Sequence, residues 1–523
     1  MIAFDLQAVQ SVGNSERGIA RFVTEVVRHL LAGPHADAVD LFLWNDRLPR
    51  GDKLDRLGVG DRLKSFSDVA GMEIDVLHVN SPFELPAVTD LLPPVRARRL
   101  VTTCYDLIPY LFPDHYLSDP QASAAYRRRL GLIATSDMVV TDSQSAADDV
   151  TAYLGVPQRK VRVIGAGVAS EFRPPDTPLD QRIGALREEW PDLRARYVLV
   201  PTAADWRKNS RGAIDAFAAL PTEVRDRHQL VLFCRLTDGQ RAELEAYADA
   251  AGVGPQVLLT GFVPDDLLIT LYQSAELVFF PTIYEGFGLP VLEARRCGAR
   301  VICSNSSSLP EVLPSEEARF NPHDPASISG TLERALTDVG FAVDLAGVPD
   351  PGFSWDRAVD QMIDAYRHVV GAIDRSSHST PTRGRIAVVA GVLPAPTGEA
   401  EAVRDRLVAP LVADGRFDVT LYQVLHHSAA LNDSPCQVRI FPQLAIDWQR
   451  GRLDEIVYVF GAEPSRLLVA SCHTMPGHAV VLEGGSSPFP DDRMRSVTRF
   501  DDGDDVLGEL TSRWSTSAAP VSI

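Results

Sequence analysis

The stretch PTIYEGFGLPVLEARRCGARVICS, residues 281–304, joins the end of an apolar strand to the start of a helix through a glycine-rich turn. The turn contains Gly286, Phe287 and Gly288. The helix is predicted to begin at Pro290, because proline suits a first helical position whose N–H would have no partner. Glycine lets backbone N–H groups approach a ligand closely, and a helix N-terminus adds free N–H groups and about half a positive charge. The pattern therefore predicts an anion site suited to a diphosphate.

Two carboxylates flank this predicted anion site. Glu285 stands in the turn and Glu293 lies in the helix that follows. A carboxylate beside a diphosphate is repelled unless it faces hydroxyl groups. The spacing therefore predicts a ligand with a sugar on one side of the diphosphate and a ribose on the other. Taken alone, Gly286 and Gly288 are explained as well by tight packing, and the E-x7-E spacing around GFGLP is the more specific signal.

Short apolar strands alternate with amphipathic helices along the chain, which is the pattern of parallel βαβ units. The predicted strands are 1–6, 39–44, 74–79, 100–105, 138–141, 161–164, 197–200, 230–234, 257–260, 277–280 and 300–303. The predicted helices are 18–31, 122–134, 210–220, 239–251, 267–274, 290–297, 326–336 and 353–370. The proline-rich segment EFRPPDTP (171–178) predicts a domain boundary, and the polar stretch 373–385 is typical of a linker.

The pattern predicts an α/β chain in five parts. They are an N-terminal Rossmann-like domain (1–175), a second such domain (195–352), a closing helix that packs back on the first domain (353–372), a linker (373–384) and a smaller α/β module (385–523).

The last module resembles a reduced copy of the first domain. Gly398 heads a predicted helix 380 residues after Gly18, and the two further matches share an offset of 378 residues. These matches pair FDVTLY (417–422) with VDLFLW (39–44) and AVVLEG (479–484) with VTTCYD (101–106), so that Glu483 and Gly484 replace Tyr105 and Asp106. Agreeing offsets predict a duplicated half-domain, although βα units in general look alike. We expect the copy to have lost catalysis and to dock the acceptor, a partner protein or a second subunit.

The composition excludes several classes of protein. The chain has 523 residues, 45% hydrophobic and 23% charged, enough for about three or four globular domains. Its net charge of −19 argues against nucleic-acid binding, which needs a basic surface. No run reaches the ~18 apolar residues of a membrane span, and the start MIAFDLQ, with an acid inside its first apolar stretch, predicts no signal peptide. Six cysteines without a CxxC pair favour a cytoplasmic protein.

The E-x7-E spacing with the core GFGLP resembles the signature of glycosyltransferase family 4, whose members have two facing Rossmann-like domains, the GT-B fold. The resemblance extends over roughly residues 1–370. It is carried further by YVLVPTAADWRKNSRGAIDAF (197–217), GFVPDDLLITLYQSAELVFFPT (261–282), the FSW of the closing helix and ERGIARF (16–22). The segments YDLIPYLFPDHYL (105–117) and TDSQSAADDV (141–150) are typical of its mannosyltransferase-like branch.

The resemblance implies a role for each matching residue. Glu285 is expected to contact the hydroxyls of the donor sugar, and Glu293 those of the ribose. Arg207 and Lys208 are expected to neutralise the diphosphate, whose departure builds negative charge that fixed cations stabilise. Only four of the 51 basic residues are lysines, which adds some weight to Lys208. The other expected donor-site positions are the backbone at Gly286, Phe287, Gly288 and Leu289, the loop residue Gly18, and Gly261, Phe262 and Val263 beside the base.

Two positions depart from the family pattern. Many members carry a His-Asp pair where this chain has Tyr105 and Asp106. Tyrosine can donate a hydrogen bond but cannot act as a base near pH 7. We therefore expect Tyr105 to position the donor sugar or, alternatively, to be a core aromatic, and Asp106 to bind the acceptor hydroxyl or orient its loop. Ala20 stands where a second glycine is commoner and should narrow the loop.

The resemblance implies a retaining glycosyltransferase that moves mannose from GDP-mannose to a glycan in bacterial surface polysaccharide or glycolipid synthesis. The alternatives are a UDP-glucose or rhamnose-nucleotide donor, or a non-catalytic glycan-binding or scaffold subunit. We expect no cofactor and no metal, because Arg207 and Lys208 supply the positive charge.

Four further features are interpreted without a role in the donor site. VRARR (95–99) and YRRRL (126–130) are either contacts to anionic lipid headgroups at the inner face of the membrane, beside a lipid-linked acceptor, or solvated and ion-paired arginines. The pair His426-His427 and the acidic turn FDDGDD (500–505) are interpreted as surface residues.

Overall fold

Three parallel β-sheets covered by helices form the part of the chain that the computed structural model describes. The described residues are 1–10, 18–83, 95–373, 384–390, 399–423, 435–440, 444, 447–448, 452–460, 475, 477–482 and 496–500. Some predicted features lie outside them, namely Gly398, His426, His427, Glu483, Gly484 and residues 501–505. The predicted fold class, two Rossmann-like domains and a third α/β module, is confirmed.

The first sheet has seven parallel strands. They are β1 (Ile2–Asp5), β2 (Leu41–Trp44), β3 (Leu63–Ser65), β4 (Glu73–Val79), β5 (Arg96–Thr103), β6 (Met138–Thr141) and β7 (Val161–Val163), in the spatial order β3-β2-β1-β4-β5-β6-β7. All four residues of β6 are buried. Helices on both faces of a parallel sheet account for such a continuous apolar run.

The second sheet has six parallel strands and carries the glycine-rich turn at one of its strand ends. The strands are β8 (Tyr197–Pro201), β9 (Gln229–Phe233), β10 (Val257–Gly261), β11 (Leu277–Phe280), β12 (Val301–Ser304) and β13 (Arg319–Phe320), in the order β10-β9-β8-β11-β12-β13. The order reverses between β8 and β11, and this is the point where open α/β sheets bind ligands.

The third sheet has six described strands. They are β14 (Gly384–Ala390), β15 (Phe417–Gln423), β16 (Gln437–Ile440), β17 (Glu455–Phe460), β18 (His478–Leu482) and β19 (Ser496–Phe500), in the order β16-β15-β14-β17-β18-β19. The order matches the first six strands of the first sheet, as a duplication requires. The second sheet has the same order, so topology alone does not distinguish a copy of the first domain, and the duplication stays a prediction.

Helices surround these sheets. In the first two domains they are α1 (Gln7–Gln10), α2 (Gly18–Ala32), α3 (Gly51–Asp55), α4 (Ile108–Leu111), α5 (Pro113–Tyr116), α6 (Pro120–Thr135), α7 (Gln144–Leu154), α8 (Leu179–Glu189), α9 (Ser210–Ala218), α10 (Thr222–Arg225), α11 (Asp238–Ala250), α12 (Asp265–Ser274), α13 (Leu289–Arg296), α14 (Leu309–Val312), α15 (Pro325–Thr337) and α16 (Val339–Ala346). The long helix α17 (Trp355–Ile373) follows, and the third module adds α18 (Glu399–Ala402), a π-helix (Val403–Val408) and α19 (Ala409–Asp414).

Helix α17 returns to the first domain, where it packs against α2 and strands β4 to β7. A buried histidine fixes its position. His78 Nδ1 lies 2.5 Å from the hydroxyl of Tyr366, and His78 Nε2 lies 2.8 Å from that of Thr103. Burial lowers the pKa of His78 to about 3, so the ring is neutral in the folded protein. The largest hydrophobic core runs through both domains and α17, whereas the two core clusters of the third module contain residues from 386 to 480 only.

Most predicted elements agree with the structure to within a few residues. Of the strands in the first two sheets, the prediction missed β3 and β13, because LKS and RF are too short and too polar to show an apolar strand pattern. Ala20 is buried in the first turns of α2 and not in a loop, so the expectation that its methyl group narrows a loop is wrong.

Candidate functional site

The turn between β11 and α13 places Glu285 in a buried ionic cluster at the switch point of the second sheet. Its Oε1 accepts hydrogen bonds from Lys208 Nζ at 2.7 Å and from the hydroxyl of Thr282 at 2.8 Å. Its Oε2 lies 3.0 Å from Arg207 Nη1. The carboxylate side chain is only 9% exposed. We call Glu285, Arg207 and Lys208 the ionic cluster.

The two cations of the ionic cluster come from the turn after β8. Trp206 to Lys208 form one turn of 3₁₀ helix, capped by the side chain of Asp205, which accepts from Arg207 N–H at 3.1 Å. Asn209 follows with a φ of 57°, and its amide donates to the carbonyl of Pro281 at 3.0 Å. This left-handed residue therefore ties the β8 turn to the β11 turn. Asparagine is one of the few residues that tolerate that conformation.

Burial and neighbouring charge act in opposite directions on the members of the ionic cluster. Burial acts to raise the pKa of Glu285, but the charges of Lys208 and Arg207 outweigh it and hold the pKa below its usual value. Burial acts to lower the pKa of Arg207, yet Glu285 and Asp205 raise it. Burial lowers the pKa of Lys208, with Glu285 acting against it. The two cations are thus matched by the carboxylates of Glu285 and Asp205.

The first domain approaches the glycine-rich turn closely at Gly286. A Cβ atom at this position would lie 2.8 Å from the carbonyl oxygen of Tyr105 and 3.3 Å from Cβ of Asp106. The hydroxyl of Ser143 donates to the Gly286 carbonyl at 2.6 Å. Gly288 has a φ of 102°, which only glycine adopts readily. Both glycines are therefore required by packing and backbone conformation, whatever binds beside them.

Asp106 lies near the ionic cluster, where the charges of Arg207 and Glu285 act on its carboxylate. Its carboxylate accepts from Ile108 N–H at 2.9 Å, and burial raises its pKa. Tyr105 is 7% exposed and packs edge-on against Phe22, with ring centroids 5.2 Å apart. This packing favours the core role that the sequence left open for Tyr105.

Glu293 is reached by an arginine from the opposite domain. Arg21 on α2 brings Nη1 to 3.4 Å from Glu293 Oε1, and its guanidinium lies 5.3 Å from the ring centroid of Phe172. The hydroxyl of Tyr272 lies 3.5 Å from Glu293 Oε2. Burial raises the pKa of Glu293. The sequence prediction missed Arg21, although it stands in the quoted segment ERGIARF.

A cavity of about 760 Å³ opens next to this ion pair, between α2, α3 and the turn after β10. Its wall includes Arg21, Phe262 and Asp265, and Phe262 is 58% exposed. The volume suits a nucleoside-sized ligand. Phe262 is thus exposed beside a cavity, whereas the Val263 side chain is buried in the core.

The remaining predicted donor positions are distributed around the cluster. Phe287 is buried against Phe353, with ring centroids 5.0 Å apart, and Leu289 is the first residue of α13. Gly261 ends β10 with a φ of 79°. Gly18 is exposed at the start of α2, and within the described residues no heavy atom lies within 4 Å of a Cβ built there.

The two domains are also joined by a contact that the sequence prediction missed. The carboxylate of Glu311 on α14 accepts hydrogen bonds from the backbone N–H groups of Gln144 at 2.8 Å and Ser145 at 2.9 Å. It therefore caps the N-terminus of α7 from the other domain. The hydroxyl of Tyr284 donates to Asp149 on the same helix. We call these two contacts the interdomain clasp. The motif TDSQSAADDV contains the α7 side of it.

The arginine-rich segments of the first domain are partly buried. Arg129 is 9% exposed and donates to the carbonyl of Phe83 at 3.2 Å, so it does not face a membrane surface. The guanidinium of Arg96 lies 5.9 Å from the ring centroid of Trp448 in the third module. Among the described residues, no helix combines the length and apolarity needed to cross a bilayer, and no three His, Cys, Asp or Glu side chains are grouped as metal ligands.

Two family descriptions match the chain. "Glycosyltransferase Family 4" matches residues 17–172 and "Glycosyl transferases group 1" matches residues 186–346, which are the two domains that meet at the ionic cluster. The chain belongs to glycosyltransferase family 4.

Relatives of this family 4 chain include two proteins of Escherichia coli. Over 341 residues it is 33% identical to the serotype-specific mannosyltransferase WbdA, a match that covers 63% of this chain and 42% of WbdA. It is 29% identical over 283 residues to O-antigen chain mannosyltransferase B, covering 52% of this chain and 71% of that protein. The chain thus spans less than half the length of WbdA.

Solved structures share its fold. Sucrose-phosphate synthase from Thermosynechococcus elongatus superposes with a TM-score of 0.53 at 18% identity, covering 71% of this chain and 99% of the synthase. HepE from Anabaena, determined in complex with UDP-glucose, superposes with a TM-score of 0.51 at 16% identity, covering 72% of this chain and 99% of HepE.

Proposed function

We propose that residues 1–372 form a retaining glycosyltransferase that transfers mannose from GDP-mannose to a glycan during bacterial surface polysaccharide synthesis. The observation that carries the proposal is the ionic cluster at the switch point of the second sheet, facing Asp106 of the first domain. The mannosyltransferase names of WbdA and of O-antigen chain mannosyltransferase B support the sugar and the pathway class.

We propose that Arg207 and Lys208 exchange their carboxylate partners for the diphosphate of the donor when it binds. Arg207 and Lys208 are paired with Glu285 and Asp205 in the structure. We propose that an entering diphosphate binds the free N–H groups of α13 and that Arg207 and Lys208 neutralise its negative charge. We propose that Glu285 then turns its oxygens towards the hydroxyls of the donor sugar. No metal is required for this neutralisation.

In the proposed transfer step, the ionic cluster stabilises the leaving group. The bond from C1 of the sugar to the diphosphate oxygen breaks, and negative charge grows on the leaving diphosphate, where Arg207 and Lys208 stabilise it. The acceptor oxygen bonds to C1, and its proton passes to the departing diphosphate oxygen on the same face of the sugar. This same-face route is the usual proposal for the family and retains the configuration at C1.

The nucleotide end of the donor is proposed to occupy the cavity beside Arg21 and Phe262. We propose that Glu293 accepts hydrogen bonds from the ribose hydroxyls once Arg21 moves away from it. The raised pKa of Glu293 fits a carboxylate that hydroxyl donors stabilise on binding.

A thermal-shift panel of GDP, UDP and dTDP tests the proposal on the full chain. Ligand at 100 times its Kd stabilises the folded state by about 2.7 kcal/mol, so one nucleotide should raise the Tm by several degrees. Stabilisation by GDP alone supports the GDP-mannose donor, and stabilisation by UDP or dTDP alone contradicts it while keeping the enzyme class. If none of the three binds, the chain is a scaffold or glycan-binding subunit and the proposal fails.

For the third module we propose a docking role, for the acceptor glycan, a partner protein or a second subunit. We further propose a cytoplasmic protein at the inner face of the membrane, where a lipid-linked acceptor is available. The separate hydrophobic cores of the module support a unit that folds apart from the donor site.

A further inference from the structure

Trp206 is an exposed tryptophan held in place at the edge of the ionic cluster. Its side chain is 38% exposed, whereas Trp190, Trp355 and Trp448 are 9% exposed or less. It directly precedes Arg207 and Lys208 in the chain. Tryptophan offers a large, rigid contact surface and is enriched among the residues that dominate binding.

Two residues of the opposite domain fix the indole. The ring of His115 stacks on it at 4.0 Å between centroids and 19° between planes, and Phe112 meets it edge-on at 5.3 Å. In addition, the hydroxyl of Tyr116 donates to Asp205 at 2.7 Å. We call Trp206, His115 and Phe112 the aromatic platform. It is built from both domains, so it is complete only when they face each other as they do here.

A cavity of about 390 Å³ has Trp206 in its wall. Asp205, Arg211 and Glu243 line the same cavity. The side chains of Arg211 and Glu243 are 60% and 72% exposed, with 4.0 Å between Nη2 and Oε1. An aromatic wall beside carboxylates and a guanidinium matches a pyranose, which has an apolar C–H face and a rim of hydroxyls. The two carboxylates disfavour a phosphate.

Within the described part of the chain, the cavity at the platform and the nucleotide cavity have no lining residue in common. The wall of the nucleotide cavity includes Arg21, which pairs with Glu293 on α13. The platform connects to the ionic cluster through Asp205 and Arg207, whose Nε lies 3.3 Å from Asp205 Oδ2. The cavity at the platform therefore adjoins the ionic cluster and is separate from the nucleotide cavity, so we expect it to hold an acceptor whose hydroxyl meets C1 of a donor sugar bound over the cluster.

We propose that the aromatic platform and its cavity bind the terminal, uncharged sugar units of the acceptor glycan. The proposal rests on the glycosyltransferase function given above and names the acceptor subsite of that same cleft. Trp206 covers the apolar face of a sugar ring, and Arg211 and Glu243 bond its hydroxyls.

Saturation-transfer NMR on the full chain tests the subsite, with α-linked mannobioses, mannotriose and maltotriose as probes. Trp206→Ala should weaken binding of the bound oligosaccharide about tenfold, and Trp206→Phe should weaken it less, because phenylalanine keeps a smaller stacking face. Glu243→Ala removes an exposed side chain without disturbing the core and should also weaken binding. Tyr153→Ala is the matched control, since Tyr153 is a 51% exposed aromatic outside the platform and should leave binding unchanged.

Several results would overturn the subsite. The first is wild-type affinity for the oligosaccharide in both Trp206→Ala and Glu243→Ala. The second is that no oligosaccharide of the panel gives a signal that depends on Trp206. The third is displacement of the sugar by inorganic phosphate, which would mean that the site binds an anion. The GDP-induced Tm shift is measured on the same proteins and should be unchanged by Trp206→Ala. If the wild-type protein binds the oligosaccharide but none of the nucleotides, the transferase proposal is refuted and the platform is a glycan-binding site.

Discussion

Replacing Lys208 by methionine separates the charge of the ionic cluster from its packing. Methionine keeps an unbranched apolar side chain near Phe280, whose ring centroid lies 5.2 Å from Nζ, and removes the ammonium that donates to Glu285 at 2.7 Å. Glu285 retains Arg207 at 3.0 Å and the hydroxyl of Thr282 at 2.8 Å. Because two partners remain, we expect the free energy of unfolding to fall by about 1–3 kcal/mol, less than for an unpaired buried charge.

The effect on catalysis should be larger than the effect on folding. Loss of a fixed charge at the departing diphosphate is expected to lower turnover by roughly 10²–10³-fold. Lys208→Arg restores the charge, but a longer planar guanidinium must enter a space where the lysine side chain is 14% exposed. We therefore expect Lys208→Arg to recover stability in part and turnover poorly.

Urea unfolding measures the free energy of unfolding, and the rate of nucleotide release from the donor measures turnover. Lys64→Met is the matched control, since Lys64 lies on β3 at the outer edge of the first sheet. Folded Lys208→Met protein that turns over at the wild-type rate would refute the role of the ionic cluster, as would an equal loss in the Lys64 control.

Three further outcomes are expected. Burial lowers the pKa of His78 from 6.5 to about 3. Below pH 6.5 the unfolded chain therefore binds a proton at His78, whereas the folded chain does not. The free energy of unfolding should fall as the pH decreases from 6.5 towards 3, by up to about 1.4 kcal/mol per pH unit. Urea titrations of wild type and His78→Gln at several pH values check this, and equal pH slopes would contradict it. Glu311→Ala should loosen the interdomain clasp. We expect a larger radius of gyration in solution scattering and little change in the nucleotide Kd. An unchanged scattering profile would contradict the role of the clasp in holding the two domains together. A chain ending at residue 372 should fold and still shift its Tm with nucleotide, because the third module has its own core clusters; a folded chain that has lost nucleotide binding would place the module in the donor site.

Local patterns were enough to place the residues at the strand ends. The turn holding Gly286 and Gly288 and the arginine-lysine pair after β8 are each read from a few neighbouring residues, and parallel strands bring their carboxyl ends to one edge. The structure accordingly brings Glu285 together with Arg207 and Lys208.

Contacts across the two domains could not be predicted in the same way. The pairing of Arg21 with Glu293, and of Glu311 with the start of α7, depends on how the domains face each other, which no local spacing encodes. The side-chain role of Tyr105 depends on burial against Phe22, and a tyrosine after a strand is compatible with either a cleft or a core position. Trp206 lay inside a quoted motif, but its exposure and its stacking on His115 become visible only in three dimensions.

Release of GDP from GDP-mannose, measured with mannobiose as acceptor, tests the central claim most directly. We expect the wild-type protein to release GDP and extend the disaccharide, and Glu285→Gln to lower this rate by roughly 10²–10³-fold while remaining folded. Glutamine keeps the shape of the side chain and removes the charge that holds Lys208 and Arg207. No release by the wild type, or an equal rate in folded Glu285→Gln protein, would contradict the assignment of the cleft as a glycosyl-transfer site.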